Sequence, residues 1–306
     1  MRVALIPTGR TEWHGLGSGL QRLFPGHDFY ALPGAADFDS TGPFDGFTST
    51  ALTANHEGEY LPETASILVE RAAQEALGDR RRHEADVVIV LDDLELANRH
   101  QPDRVIRVFR CAVERHVASL QGTRERTERA LRERVSFHLI VPMIEAWLFG
   151  DPQALRVAGV PGGVVPLLDG GDLEDFHATD AQYLRASEAD CPRWIARGRK
   201  KADRPKWLGD QRERHPKGYL QWLCRDGGAK SCTSYDESHG GAAALQGLTW
   251  DVLLAKPGLL YLGALVEDLA DALGARLPLP WPPVWPDDPP ATRLSWRPRN
   301  KVLRNL

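Results

Sequence analysis

The sequence lacks the features of several large protein classes. It contains no apolar run that approaches the ~20 residues needed to cross a bilayer, which predicts a soluble protein with no membrane partner. Its four cysteines show no paired short spacing and no signal peptide is recognisable, so we expect reduced thiols and a cytoplasmic location. The formal net charge of -4 excludes a uniformly basic coat for nucleic acid and leaves only local basic patches for that purpose.

Two enzyme motifs are also absent. The chain has no Gly-x-x-x-x-Gly-Lys-Ser/Thr motif for binding nucleotide phosphates, so any ATP hydrolysis must belong to another chain. No Gly-x-Ser-x-Gly motif follows a predicted strand, which disfavours a Ser-His-Asp hydrolase.

Short apolar segments alternate with helical patterns along the first half of the chain. Strands are predicted at residues 2–7, 27–32, 86–91 and 137–141. This alternation is typical of an α/β fold with a parallel sheet that helices cover on both faces. Residues 33–60 are rich in Gly, Asp, Ser and Thr and predict a long surface loop, and loops of this length usually have a function.

The composition divides the chain into three predicted parts. Residues 1–152 form the α/β core, and residues 153–276 form a mainly helical, basic region. Residues 277–306 are rich in proline and tryptophan and predict an extended tail.

Acidic residues follow three of the predicted strands. Glu12 comes just after the first strand, the cluster Asp92-Asp93-Leu94-Glu95 follows the third, and Glu145 follows the fourth. The carboxyl ends of parallel strands open on one edge of a sheet, so we expect these carboxylates to meet there. A divalent cation would offset their mutual repulsion, because Mg²⁺ takes oxygen ligands and is usually bound through one or two carboxylates plus substrate phosphates.

Each acidic position also has a structural alternative. Glu12 in the first turn of a helix would interact favourably with the helix dipole. The cluster at residues 92–95 would cap the next helix at a solvated strand end. Glu145 would pair with an arginine on the surface.

These residues resemble the Toprim domain, the metal-dependent domain of topoisomerases, bacterial primases and nucleases of the overcoming-lysogenisation-defect class. That domain has a Glu after its first strand, to which Glu12 corresponds, and an Asp-x-Asp motif after a later strand. Here the motif is irregular, and either Asp93 with Glu95 or Asp92 with its neighbours matches it. The resemblance implies a Toprim-like, Rossmann-like parallel sheet that holds Mg²⁺ or Mn²⁺.

Two further elements narrow the resemblance. Ile144-Glu145-Ala146-Trp147-Leu148-x-x-Asp151-Pro152 and Pro216-Lys217-Gly218-Tyr219 look like elements of an uncharacterised bacterial Toprim-like family. Members of that family are often encoded beside ABC-type ATPases in defence-like gene pairs. This likeness implies a nuclease effector of antiphage defence and a possible ABC-type ATPase as partner; it gives no oligomeric state.

A metal site of this kind would transfer phosphoryl groups, because bound Mg²⁺ neutralises charge on phosphate oxygens and activates water. The candidate catalytic residues are Glu12, Asp92, Asp93 and Glu145. The candidate metal ligands are Glu12, Asp92, Asp93, Glu95, Glu145 and Asp151. Glu12 is the candidate for positioning or deprotonating the nucleophile, whereas Asp151 before Pro152 also fits a helix boundary.

Positive charge is concentrated between residues 193 and 217 of this otherwise acidic chain, which indicates a face that binds a polyanion. The candidate nucleic-acid contacts are Arg199, Lys200, Lys201, Lys206 and Lys217. Four aromatic residues are interleaved with this charge: Trp194, Trp207, Tyr219 and Trp222. They would either stack on unpaired bases or pack inward beneath a solvated surface.

Two functions from different classes follow. The first is a Mg²⁺-dependent nuclease that cleaves phosphodiester bonds in DNA or RNA. The second is a non-catalytic subunit that binds nucleic acid or a nucleotide while an ABC-type ATPase does the chemical work. The irregular acidic motif keeps the second function open.

Overall fold

The computed structural model of the chain describes residues 1–33, 42–78, 83–196, 198–199, 204–225, 233–276, 290–293 and 301–306. Lys200, Lys201, Cys232 and most of the predicted tail lie outside these described residues. No helix in the described ranges has both the length and the apolar character that a membrane span requires.

Four parallel strands form one sheet in the order β2-β1-β3-β4. The strands are β1 (Arg2–Pro7), β2 (Asp28–Ala31), β3 (Val87–Asp93) and β4 (Val135–Ile140). The predicted α/β class with a parallel sheet is therefore confirmed. Strand β3 runs two residues further than predicted, so Asp92 and Asp93 belong to its end.

The helices follow the periodicity of the sequence in the first half of the chain and are short in the second half. They are α1 (Arg10–Leu23), α2 (Glu63–Leu77), α3 (Glu95–Asn98), α4 (Pro102–Ser119), α5 (Arg124–Arg134), α6 (Glu145–Leu148), α7 (Pro152–Val157), α8 (Ala181–Arg185), α9 (Pro192–Ala196), α10 (Pro216–Leu223), α11 (Ala242–Gln246), α12 (Trp250–Leu254) and α13 (Leu260–Leu273). Single 3-10 turns lie at Ala54–Glu57, Glu188–Asp190, Lys206–Leu208 and Arg212–Arg214, and a π-helical turn lies at Glu237–Gly241.

Helices cover both faces of the sheet because side chains alternate along each strand. Val3 and Leu5 of β1 face the side on which α1 and α13 pack. Ala4 and Ile6 face the side that α2, α4 and α5 cover. Helices α6, α7 and α10 to α13 contribute to the first of these cores, so residues from the predicted region 153–276 share a core with the sheet.

The predicted helix over residues 142–149 is shorter in the structure, where α6 begins only at Glu145. The Pro142 carbonyl accepts a hydrogen bond from the Glu95 N–H at 3.1 Å, and the Ile140 carbonyl accepts one from the Leu94 N–H at 2.8 Å. These bonds tie the segment after β4 to the end of β3 and leave no helical turn before Met143. They also bring Glu145 toward the acidic end of β3.

The expectation of four reduced thiols is wrong for Cys191, which is disulfide-bonded. Cys111 and Cys224 are free. The absence of paired short spacing could not reveal this bond, because a disulfide joins cysteines that are close in space whatever their separation in sequence.

Candidate functional site

The order of the strands fixes where a ligand would bind. The chain passes from β1 outward to β2 and then returns to β3 on the other side of β1. In open parallel sheets the crevice at the carboxyl ends of the strands opens at such a reversal point, here between β1 and β3. Glu12 follows β1, and Asp92 and Asp93 end β3, so these three acids flank that point.

A cavity of about 540 Å³ opens at this edge. It is lined by residues that follow β1, by the loop after β2, by the end of β3, by α10 and by the π-helical turn. Its lining includes Thr8, Gly9, Arg10, Phe44, Gly46, Thr48, Asp92, Asp93, Glu95, Lys217 and Glu237. The volume lies within the range typical of small-molecule and cofactor sites.

Asp92 lies at the floor of this cavity and is only 1% exposed. Its Oδ1 accepts a hydrogen bond of 2.6 Å from the Thr8 hydroxyl. Its Oδ2 is buried and has no hydrogen-bond partner among the described residues. Burial raises the pKa of Asp92 to about 7, although the hydrogen bond from Thr8 acts in the opposite direction.

Glu12 and Asp93 share the neighbouring space. Burial, and then the charge of Glu145, raise the pKa of Glu12 to about 8. Burial and the charge of Glu12 raise the pKa of Asp93 well above its ordinary value. The Asp93 Oδ1 accepts a hydrogen bond of 3.2 Å from the Ile144 N–H, which links β3 to the segment before α6.

Two glycines allow the carboxylates to lie where they do. A Cβ at Gly9 would overlap the Glu12 carboxylate, and a Cβ at Gly46 would lie 2.6 Å from the Asp92 Oδ1. Real Cβ atoms do not approach oxygen that closely. The backbone on both sides of the acids is therefore close to them, and larger residues would displace either the backbone or the acids.

Glu95 has a backbone conformation that side chains rarely adopt, with φ of 57°. Such left-handed backbone costs free energy in a residue other than Gly, Asn or Asp, and it persists where the surroundings fix it. Here the N–H of Glu95 donates to the Pro142 carbonyl. The conformation places the half-buried Glu95 on the cavity wall, where burial raises its pKa.

Glu145 joins the cluster but is paired with a cation. Its Oε1 lies 3.8 Å from the Lys217 Nζ and accepts a 3.0 Å hydrogen bond from the Tyr235 hydroxyl. Lys217 also lies 2.8 Å from Glu237. Burial acts to lower the pKa of Lys217, but the two carboxylates outweigh it, so the net shift is upward and the ammonium stays charged. The alternative in which Glu145 pairs with a surface arginine is wrong.

Asp151 is positioned as a helix cap. Its Oδ1 accepts from the Gln153 N–H and its Oδ2 from the Thr249 N–H, both at 2.8 Å. The first bond caps α7 and the second ties α7 to the start of α12. With both oxygens engaged and away from the cavity lining, Asp151 fits the alternative of a helix boundary rather than that of a metal ligand.

The loop predicted over residues 33–60 forms one wall of the cavity in its described part. The fully buried Asn98 holds this loop in place. Its Nδ2 donates hydrogen bonds to the carbonyls of Thr48 and Thr50, and its Oδ1 accepts one from the Leu52 N–H. The Thr48 hydroxyl in turn donates to the Asp93 carbonyl at 2.6 Å. Asn98 therefore fixes the loop against the acidic end of β3.

We expect Asn98→Ala to lower the free energy of unfolding by about 2–3 kcal/mol, because it leaves several buried backbone groups unpaired. Urea denaturation of both proteins measures the difference. Asn55→Ala serves as the control, since Asn55 is exposed and its loss should stay within about 0.5 kcal/mol. Equal stability of the two variants would show that Asn98 does not hold the loop.

The basic segment is largely engaged within the protein where it is described. Arg199 forms an exposed ion pair with Glu188. Arg204 and Arg212 donate to the carbonyls of Leu208 and Ala186. Lys206 is exposed, and its charge acts to lower the pKa of Glu95, so it lies near the cavity. Lys200 and Lys201 lie outside the described residues.

The aromatic residues of that segment pack inward. Trp207 and Tyr219 are fully buried, and Trp194 and Trp222 are 5% and 6% exposed. This confirms the inward-packing alternative and removes these rings from any stacking on bases. The interleaving of aromatic and basic residues in the sequence reflects a helical surface over a core.

Several residues at the site were not predicted from the sequence. Thr8 and Thr48 donate hydrogen bonds to Asp92 and Asp93 at the carboxyl end of β3. Tyr235 contacts Glu145, Glu237 pairs with Lys217, and Arg10 and Phe44 line the cavity. Thr8 and Arg10 lie in the turn Thr8-Gly9-Arg10, whose position directly after a predicted strand could have marked them as site residues. The others come from segments without periodicity that reach the site through long-range packing.

The residues fit a divalent cation chemically. Asp92 has a buried oxygen with no hydrogen-bond partner in the described part of the chain, and Asp93 and Glu95 add carboxylates on the same cavity. Oxygen ligands of this type suit Mg²⁺ and Mn²⁺. In the described ranges no three acidic, histidine or cysteine side chains form a ligand set for a metal ion, and Mg²⁺ is usually bound through only one or two carboxylates plus substrate phosphates.

Comparisons with protein-family models, with curated proteins and with solved structures find no match to this chain.

The raised pKa values predict how stability depends on pH. Between about pH 4 and pH 8 the unfolded chain ionises Glu12 and Asp92 more readily than the folded protein does, so the free energy of unfolding falls as pH rises through this window. Added Mg²⁺ should reduce this loss at pH 8. Thermal unfolding of the wild type and of Glu12→Gln between pH 5 and pH 9 measures how strongly the stability of each protein depends on pH. A variant with the same pH slope as the wild type would contradict the burial of a titrating Glu12.

Proposed function

We propose that this protein is a Mg²⁺- or Mn²⁺-dependent nuclease that cleaves phosphodiester bonds. The observation that carries the proposal is the convergence of Glu12, Asp92 and Asp93 at the reversal point of the sheet, where Asp92 and Asp93 line a cavity that also presents cations. Like charges buried together are costly unless they are protonated, paired or bound to a metal ion. A cation between these acids and a substrate phosphate would relieve that cost.

The residues of the chain have separate roles in this proposal. Asp92, Asp93 and Glu95 hold the ion, which when bound supplies charge neutralisation at the phosphate and a more acidic water. Thr8 fixes the Asp92 carboxylate through its hydroxyl. Glu12 accepts the proton of the attacking water, because it lies beside Asp93 at the start of α1.

Lys217 supplies a second positive charge on the same cavity. Glu145 and Glu237 hold its ammonium on the cavity wall, and burial of Glu145 keeps that carboxylate in place. A charged ammonium at this point stabilises the negative charge that develops on the phosphate oxygens in the transition state. Glu145 is therefore a positioning residue for Lys217 in this proposal rather than a metal ligand.

The resemblance to Toprim-like proteins encoded beside ABC-type ATPases supports a role as the effector of an antiphage defence system. The absence of a nucleotide-phosphate motif agrees with an ATPase on a separate chain. The second candidate function is a non-catalytic subunit that binds nucleic acid or a nucleotide. The observation in its favour is that Lys217 already neutralises part of the acidic cluster without a metal ion.

Incubation of the purified protein with single-stranded and supercoiled DNA and with RNA separates the two functions. We expect cleavage with Mg²⁺ or Mn²⁺ and none with EDTA. Glu114→Gln, which removes an exposed carboxylate on α4, should leave cleavage unchanged. Binding without cleavage under all metal conditions would support the non-catalytic subunit instead.

A further inference from the structure

The acids of the site are withdrawn from the surface. Asp92, which lines the cavity, is 1% exposed, and Glu12, which lies beside Asp93, is 2% exposed. A phosphate must therefore enter the cavity to reach Asp92, because this carboxylate does not project from the surface.

Duplex nucleic acid does not match the composition of this cavity. In a paired duplex the bases are stacked inside the helix, so a duplex offers its phosphates to the cavity but no base to an aromatic wall. A single strand presents its phosphates and bases on one narrow chain, and an unpaired nucleotide can turn into a pocket. Enzymes that act in such pockets take single-stranded substrate or move the target nucleotide out of the stack.

The wall of the cavity carries the groups that an unpaired nucleotide needs. Phe44 is half-buried, packs against the core beneath the loop and lines the cavity, so it offers an aromatic surface for a base. Arg10 is exposed at the rim and forms no hydrogen bond or ion pair with the described part of the chain. Lys217 lines the inner wall. Base stacking on aromatic rings combined with cations along the backbone is the usual means of binding single strands.

We propose that the cavity takes an unpaired nucleotide, so that the substrate class is single-stranded nucleic acid. The base stacks on Phe44, Arg10 binds the phosphate at the rim, and the phosphate to be cleaved lies between the acids and Lys217. This inference rests on the proposed nuclease function for its cleavage step but not for its binding step. Stacking tolerates every base, so the site recognises the lack of pairing and not a sequence.

Binding is measured by fluorescence anisotropy on DNA and RNA oligonucleotides that share one sequence. These are a single strand, a continuous duplex and a duplex with an unpaired bubble. The Asp92→Asn protein is used in the presence of Mg²⁺ to prevent cleavage. We expect the single strand and the bubble to bind at least about 10-fold more tightly than the continuous duplex. Cleavage by the wild type should follow the same order.

Phe44→Leu tests the stacking contact while it keeps an apolar side chain on the core. We expect roughly 10-fold weaker binding of the single strand, and Phe44→Trp should restore it. Tyr60→Ala is the matched control, because Tyr60 is an exposed aromatic residue that does not line the cavity. Unchanged binding by Phe44→Leu would overturn the stacking role.

The outcomes separate this inference from the proposed function. Equal binding and cleavage of the continuous duplex and the single strand would overturn the inference and leave the nuclease function intact. Preferential binding of the single strand without cleavage of any substrate would support the inference and contradict the nuclease function. Failure of the variant to bind any of the oligonucleotides, together with failure of the wild type to cleave any of them, would overturn both.

Discussion

Replacement of Asp92 and Asp93 by asparagine is expected to abolish divalent-dependent cleavage while the fold persists. The loss should be at least about 100-fold, since even the removal of a group that only supports a metal ligand costs about 10–100-fold in metal affinity or activity. The folded state without metal should be as stable as the wild type or more stable, because the change removes like charges that burial brings together. Cleavage rates and urea denaturation measure the two quantities.

The two single replacements show how much each aspartate contributes to metal binding. Asp92→Asn removes the carboxylate whose Oδ2 has no hydrogen-bond partner among the described residues, and Asp93→Asn keeps an acceptor for the Ile144 N–H. Both should impair metal binding. A double variant that cleaves at the wild-type rate would show that the end of β3 does not hold the catalytic metal, and one that unfolds would show that these acids serve packing.

Loss of the Lys217 charge is expected to have the second large effect. Lys217→Met leaves Glu145, which is 2% exposed, without its cation, and the removal of one partner from a buried ion pair costs about 3 kcal/mol or more. We expect a corresponding loss in the free energy of unfolding at pH 8. Chemical denaturation measures it, and Lys206→Met is the control because that lysine is exposed.

A second substitution distinguishes charge from packing at this position. If the loss in Lys217→Met comes from an uncompensated carboxylate, the added change Glu145→Gln should recover much of the stability. Cleavage should not recover, because the proposed role of Lys217 is to bind the phosphate. Recovery of cleavage in the double variant would refute that role, and no recovery of stability would indicate lost packing instead.

The sequence was most informative where local pattern and tertiary role agree. Strand β3 is a run of β-branched residues, so its position, its burial and the placement of Asp92 at its end follow from the run itself. The helix Glu63–Leu77 likewise follows from apolar residues at helical spacing and from Pro62 just before it. The parallel sheet then required Glu12 and Asp92 to share one edge.

The remaining features depend on contacts between distant segments. Nothing local to Lys217 shows that it lies beside Glu145, 72 positions earlier, and its basic neighbours favoured a surface role instead. The roles of Phe44 and Thr48 depend on Asn98, which holds an aperiodic loop through backbone hydrogen bonds that no spacing pattern encodes. Asp151 belongs to a sequence element that resembles part of a metal site. In the structure both of its carboxylate oxygens accept hydrogen bonds from backbone N–H groups, those of Gln153 and Thr249.

A crystal structure of the protein grown with Mn²⁺, with anomalous scattering recorded for that ion, shows whether the end of β3 binds a metal ion. We expect an anomalous peak in contact with carboxylate oxygens of Asp92 and Asp93 at the carboxyl end of β3, and no such peak for the Asp92→Asn variant under the same conditions. A wild-type map without a peak at these carboxylates, or with the ion bound elsewhere in the chain, would contradict this expectation.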